Sequence, residues 1–131
     1  MLERLHTIEI NINELEKFKQ NTNLKEVKSN LQKQWILRYG LFECIQVVID
    51  ISCHMVAKYN LGNPKTYTEC VELLTQYDYL DKHVADNIIP MIGLRNLLIH
   101  EYTTIHIDRL YNLLNNLDDF IEFVQQIKQY V

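Results

Sequence analysis

The chain has 131 residues, a formal net charge of −4, 47% hydrophobic residues and 23% charged residues. That balance fits an ordinary soluble globular protein with one core, and its sign excludes a generally basic, nucleic-acid-coating surface while leaving room for a local cationic site. Three glycines and two prolines are few, which favours long helices over a turn-rich β fold. Cys44, Cys53 and Cys70 form an odd set with no paired short spacing, and the chain does not open on a secretory signal. A disulfide framework is therefore not expected, and the cysteines are expected to pack as small apolar groups in a reducing cytoplasm. No apolar run reaches the roughly 18 residues of a membrane span, so no membrane association is expected.

Leu2, Leu5, Ile8, Ile12, Leu15 and Phe18 recur at steps of three and four, the stripe of an amphipathic helix that ends near Gln20. Asn21-Thr22-Asn23 is a polar break, and either Asn23 with Glu26 or Ser29 with Gln32 can form a capping box for the next helix. The longest helix runs from about Ser29 to Tyr59. Its middle, Trp35 to Val56, is apolar nearly all round, as expected of a helix surrounded by neighbours or set in a subunit interface. Gly40 costs that helix about 1 kcal/mol of propensity, which points to a close contact as its reason. Glu43, Asp50 and His54 are its polar exceptions. Asp50 and His54 are four residues apart and able to touch, as a satisfied polar pair or as support for a site elsewhere.

Asn60-Leu61-Gly62-Asn63-Pro64 breaks the chain. Thr66 and Glu69 then read as a capping box for a short helix to about Gln76. Asp81 is a possible N-cap for a helix over about Lys82 to Glu101, in which Pro90 is expected to cause a kink or local break just before residues 93–102, with Gly93 allowing close backbone approach. Thr103-Thr104-Ile105 closes it. A last helix starts near His106, itself a capping or surface residue, along the stripe Leu110, Leu113, Leu114, Leu117, Phe120, Ile121, Val124, Ile127 and Val131. Lys17, Lys19, Lys25, Lys28, Lys33 and Arg38 gather early, while Glu101, Asp108, Asp118, Asp119 and Glu122 weight the end acidic. With no repeat and no linker, these elements predict one domain over residues 1–131. The fold class is all-α, an up-and-down four-helix bundle with one additional short helix.

Reactive side chains concentrate in Gly93-Leu94-Arg95-Asn96-Leu97-Leu98-Ile99-His100-Glu101-Tyr102. On an ideal helix of about 100° per residue, Arg95 and Tyr102 share a stripe, Asn96 and His100 lie together beside it, and leucines fill the opposite arc. A permanent cation with a planar fork, beside an imidazole able to move protons near neutrality, suits phosphate chemistry. The spacing supplies no metal-ligand set. Cleaving RNA by internal attack of the 2′-hydroxyl takes a base, an acid and a cation. One Arg95 and one His100 per chain fall short of that, and a two-fold dimer supplies two of each.

Arg95, four residues, His100, one residue, Tyr102, with a polar Asn96 after the arginine, resembles the signature of the HepT toxins of the HEPN superfamily of helical ribonucleases. The flanking helical segments are similar too, so the resemblance covers nearly the whole chain. It implies a HEPN-like bundle, a homodimer with a composite cleft, and metal-independent endoribonuclease activity on an RNA substrate, with no cofactor. Arg95 would bind the scissile phosphate, His100 transfer protons and Asn96 orient one of them. Asp50 and His54 would support His100. The resemblance also implies a partner, an MntA-type nucleotidyltransferase antitoxin that adds AMP to Tyr102 and so disables the toxin. Bulk and negative charge beside Arg95 would block the groove. The alternative is a non-catalytic helical module that scaffolds or presents substrate to a nucleotidyltransferase. The complete Arg95, His100 and Tyr102 set discriminates against it, since a scaffold needs none of the three.

Overall fold

A computed structural model describes residues 1–100 and 106–131, the side chains of Ile99 and His100 excepted. Among the described residues the elements are α1 (Leu2–Asn21), α2 (Leu24–Lys28), α3 (Leu31–Lys58), α4 (Tyr67–Gln76), α5 (Lys82–Ile92), α6 (Arg95–His100), α7 (Ile107–Asn112), a 3₁₀ turn (Leu113–Asn116) and α8 (Leu117–Lys128), with no strand. The long helices α1, α3 and α8, with α5 continued by α6, form the bundle, and α4 is the additional short helix. α3 is its axis: α1, α4, α5, α6 and α7 all pack on it.

The stripes expected from periodicity are the buried or half-buried faces, except for their exposed ends at Leu2 and Val131. Leu5, Ile8, Ile12 and Leu15 of α1 meet Leu37, Leu41, Ile45 and Val48 of α3, and Phe120, Phe123 and Ile127 of α8 complete one continuous core. Each fully buried side chain of this size contributes about 1.5–3 kcal/mol, the energy that holds α1 and α8 against the central helix. Gly40 has the reason anticipated for it: a Cβ there would lie 2.7 Å from Leu15 Cδ2, so its absence lets α1 and α3 approach closely.

Local chemistry sets the helix ends. Asn23 Oδ1 accepts from the Glu26 N–H at 2.9 Å and its amide donates to Glu26 Oε1 at 2.8 Å, so the first capping box forms and caps α2. Ser29 does not start α3 but ends α2 as its C-cap, its hydroxyl donating to Glu26 O at 3.1 Å; Asn30 caps α3, accepting from the Lys33 N–H at 3.0 Å. Thr66 Oγ1 accepts from the Glu69 N–H at 3.1 Å and starts α4 as expected. Asp81 stands at the N-cap of α5 without a side-chain cap, because its carboxylate accepts from Gln126 Nε2 at 3.0 Å and ties α5 to α8 instead. His106 stands, exposed, at the N-cap of α7.

Three expectations are corrected. The break expected just before the motif is found: the segment from Lys82 to His100 is two helices, parted at Gly93 and Leu94. Pro90 lies in the last turn of α5, and the Leu94 N–H turns back to Met91 O at 3.0 Å. Gly93 is not a point of close approach: its φ is −61° and a Cβ would meet nothing nearer than Pro90 O at 3.4 Å. Cys53 and Cys70 are joined by a disulfide between α3 and α4, their Cα atoms 5.1 Å apart. Spacing along the chain hides this, since the loop over 59–66 folds α4 back onto α3. Cys44 is the expected buried apolar packer. Finally, α3 does meet the length and composition of a membrane span, with a mean hydropathy of 1.5 over 18 residues. Its polar interruptions, Glu43 and Asp50, break the run without lowering the mean far. Of that window 56% is buried inside the bundle, so its apolar surface is largely used in the core.

Candidate active site

Arg95 is the first residue of α6, placed by the break at Gly93 and Leu94 so that its side chain crosses to α3. Its Nε donates to Gln46 Oε1 at 2.5 Å. Gln46 Nε2 in turn donates to Asp50 Oδ1 at 2.9 Å, one helical turn further along α3. The other side of the guanidinium is held by its own neighbour, Nη1 donating to Asn96 Oδ1 at 2.8 Å. Ideal-helix angles place adjacent residues apart, but Arg95 is long enough to fold back over Asn96 at the open end of a helix. Two aromatic rings complete the seat: the guanidinium carbon is 5.8 Å from the centroid of Phe42 and 5.6 Å from that of Tyr67, within the range of cation–π attraction.

The result is a cation gripped on two edges. Gln46 occupies Nε and Asn96 occupies Nη1, while among the described residues Nη2 has no hydrogen-bond partner. Arg95 is half-buried and Tyr67 is 47% exposed, so that remaining edge lies near the surface. A guanidinium fixed this way is prepared for a phosphate oxygen. Asp50 contributes charge at one remove, through an uncharged amide, so it does not consume the cation.

His100 ends α6, one and a half turns beyond Arg95. Its side chain, and Tyr102 entirely, lie outside the described residues. Asp50 and His54 do not pair as expected. Asp50 turns towards Gln46, whereas His54 is exposed and stands near other positive charges. Partial desolvation, with the charges of Arg4, the N-terminus and Lys58, lowers its pKa below the usual 6.5. A residue four positions away on a helix is within reach in either direction, and Asp50 has taken the N-terminal option. Glu43, the third polar exception, accepts a hydrogen bond from Tyr39; that bond and the Glu43 charge raise the tyrosine pKa.

Gln46, Phe42 and Tyr67 are site residues that sequence reasoning misses. Phe42, Gln46 and Asp50 stand at steps of four on one stripe of α3, and a lone amide in that apolar run is the available signal. Tyr67 has none, because only the packing of α4 on α3 brings it to Arg95.

The described residues form an all-helical bundle that presents an arginine near its surface, on a short helix that ends in a histidine five residues on. The family model described as Ribonuclease HepT-like matches residues 8–127, and the chain belongs to that family. It is 31% identical over 113 residues to the mRNA nuclease HepT of Shewanella oneidensis, covering 85% of this chain and 77% of that protein. It is 32% identical over 129 residues to the tRNA nuclease HepT of Aphanizomenon flos-aquae, covering 98% and 87%. Among solved structures it is similar to the tri-AMPylated Shewanella oneidensis HEPN toxin in complex with its MNT antitoxin. The TM-score is 0.88 at 26% identity, covering 98% of this chain and 96% of that one.

Proposed function

We propose that this chain is the toxin of a toxin–antitoxin pair, a cytoplasmic, metal-independent endoribonuclease with a composite site in a homodimer. The observation that carries it is the Arg95 guanidinium, held on two edges by Gln46 and Asn96, on the helix that ends in His100. Membership of the HepT-like ribonuclease family supports it, as do the two nuclease relatives. In this reading Arg95 binds the scissile phosphate and stabilises the charge that develops as the 2′-hydroxyl attacks. One His100 removes the hydroxyl proton while the His100 of a second copy protonates the leaving 5′-oxygen. Asn96, whose Oδ1 accepts from Arg95, helps aim the cation and keeps its amide donors for the substrate.

An uncovered stripe on α3 supports the dimer. Leu31, Trp35, Ile36 and Tyr39 are all more than half exposed, and they lead in successive turns to Phe42 beside Arg95. Large apolar groups in such a row, continuous with the site, suit burial against a second copy that brings a second arginine and histidine. The relative solved in AMPylated form with an MNT antitoxin supports silencing by modification. In this reading an MntA-type nucleotidyltransferase transfers AMP from ATP to Tyr102, releasing pyrophosphate, and the added bulk and negative charge disable the toxin.

Cleavage of RNA in EDTA tests this, comparing unmodified wild type (verified by intact mass) with Arg95→Ala and His100→Ala. We expect wild type to cleave, and each variant to lose at least about a hundredfold in rate. Cleavage by His100→Ala at the wild-type rate would remove His100 from the chemistry. Absence of cleavage by unmodified, folded wild type would overturn the enzyme reading.

A further inference from the structure

The feature of the site that neither the motif nor the family match addresses is the amide between a carboxylate and the arginine. Gln46 is half-buried on α3. Its Nε2 donates to Asp50 Oδ1 at 2.9 Å and its Oε1 accepts from Arg95 Nε at 2.5 Å. A carboxylate only accepts hydrogen bonds. Asp50 therefore determines which way round the Gln46 amide sits, with nitrogen towards Asp50 and oxygen towards Arg95.

We infer that Gln46 is a positioning residue for Arg95, oriented by Asp50, which locks the guanidinium through its Nε edge and leaves its outer edge for phosphate. This rests on the ribonuclease reading above for its consequence in RNA cleavage, and on geometry alone for the hydrogen bond itself. The physical reason for an amide here is charge. A carboxylate at position 46 would engage the guanidinium fork directly, the pairing that is bidentate and strong, and would compete with phosphate for it. An apolar side chain would leave the Nε–H without a partner and the long arginine without a fixed rotamer. The amide occupies one N–H only. Phe42 and Tyr67 then limit motion out of the plane, and Asn96 limits it at Nη1. A displacement of about 1 Å at such a group costs about a hundredfold in rate, because the reacting atoms fall out of line.

The test has two readouts on the full chain. The first is the Arg95 Nε–H signal in ¹⁵N-labelled protein, assigned by its loss in Arg95→Lys. We expect this proton to be protected from exchange in wild type and unprotected in Gln46→Leu, whether or not any RNA is cleaved. Equal protection in the two proteins sinks the proposal. The second is cleavage under the EDTA conditions above. Gln46→Leu is expected to lose about a hundredfold in kcat with KM nearly unchanged, at an unaltered melting temperature. Gln46→Glu is expected to be as poor, because the introduced carboxylate is repelled by Asp50 and captures Arg95. In Gln46→Glu the Nε–H is expected to stay protected, now by the introduced carboxylate, while kcat is lost because that carboxylate competes with phosphate for the guanidinium. Wild-type kcat in both Gln46→Leu and Gln46→Glu overturns the inference and reduces Gln46 to a packing role. Wild type that shows the protected proton but no cleavage would instead overturn the enzyme reading and leave the Gln46 lock standing.

Discussion

At the scale of the residue, Arg95 illustrates why a guanidinium and an ammonium are not equivalent. Its Nε bonds Gln46 while Nη1 bonds Asn96, two directions fixed by one planar group. A lysine keeps the charge but presents a single point, so it cannot satisfy both partners and still face a phosphate. Arg95→Lys is therefore expected to lose about a hundredfold or more in single-turnover RNA cleavage while folding normally by circular dichroism; near wild-type cleavage would mean that charge alone suffices. Cys44 makes a separate point. Burial, with the Glu43 charge, pushes its thiol from 9.0 up to about 12. A group whose folded pKa is raised contributes its stability in full below the unfolded pKa and loses it as pH rises towards the folded one. Stability should therefore fall between about pH 9 and pH 12. Denaturant melts across that window are expected to show a shallower alkaline decline in Cys44→Ala than in wild type.

At the scale of the element, α4 is what brings Tyr67 over the arginine, and three features hold it there. Thr66 caps its first turn, its apolar face (Cys70, Val71, Leu74) is buried on α3, and the Cys53–Cys70 bond joins the two helices. The disulfide closes a loop with a sequence separation of 17, for which chain entropy predicts about 3 kcal/mol. Oxidised wild type is thus expected to lose about that much in a denaturant melt when a reductant is added, and Cys53→Ala should not respond to reductant at all. In a reducing cytoplasm the pair would exist as two packed thiols, and α4 would depend on its cap and its apolar face. The break between α5 and α6 has the complementary role. Pro90 forbids one continuous ladder, and the turn at Gly93 and Leu94 starts a new helix with Arg95 at its head.

At the scale of the whole molecule, the exposed row on α3 is a marked departure from a closed bundle. Trp35 is 59% and Tyr39 is 65% exposed, and both lie on the path to the site. If a second copy covers this row, a charge placed in it separates the copies. Trp35→Glu with Tyr39→Glu is expected to halve the mass seen by light scattering and to remove RNA cleavage, with the helical content retained. A dimer that survives this pair of changes, with activity intact, would place the interface elsewhere. Other charges are arranged as solvated pairs, Lys28 with Asp108, Lys33 with Glu26 and Lys128 with Glu9. Exposed pairs of this kind are screened by water and contribute little. The early basic cluster is therefore partly neutralised by the protein's own acids.

The division between what sequence determines and what packing decides reflects the range of the forces involved. Helix identity, the buried stripes of α1 and α8, the caps at Asn23 and Thr66, the close contact at Gly40 and the break near Pro90 are all local matters. Periodicity, backbone dihedrals and hydrogen bonds three or four residues long decide them, and each leaves its mark in adjacent letters. The candidate site is legible to the extent that Arg95, Asn96 and His100 share one short segment. The surroundings of Arg95 are not. Gln46 lies 49 residues away along the chain, Tyr67 belongs to another helix, and the partner of Cys53 lies across a loop. Spacing pairs Asp50 with His54, yet Asp50 belongs with Gln46, since a step of four is equally available in both directions. Contacts of this range depend on how α3, α4 and α6 pack together, and packing is settled by the burial of whole faces rather than by any local pattern.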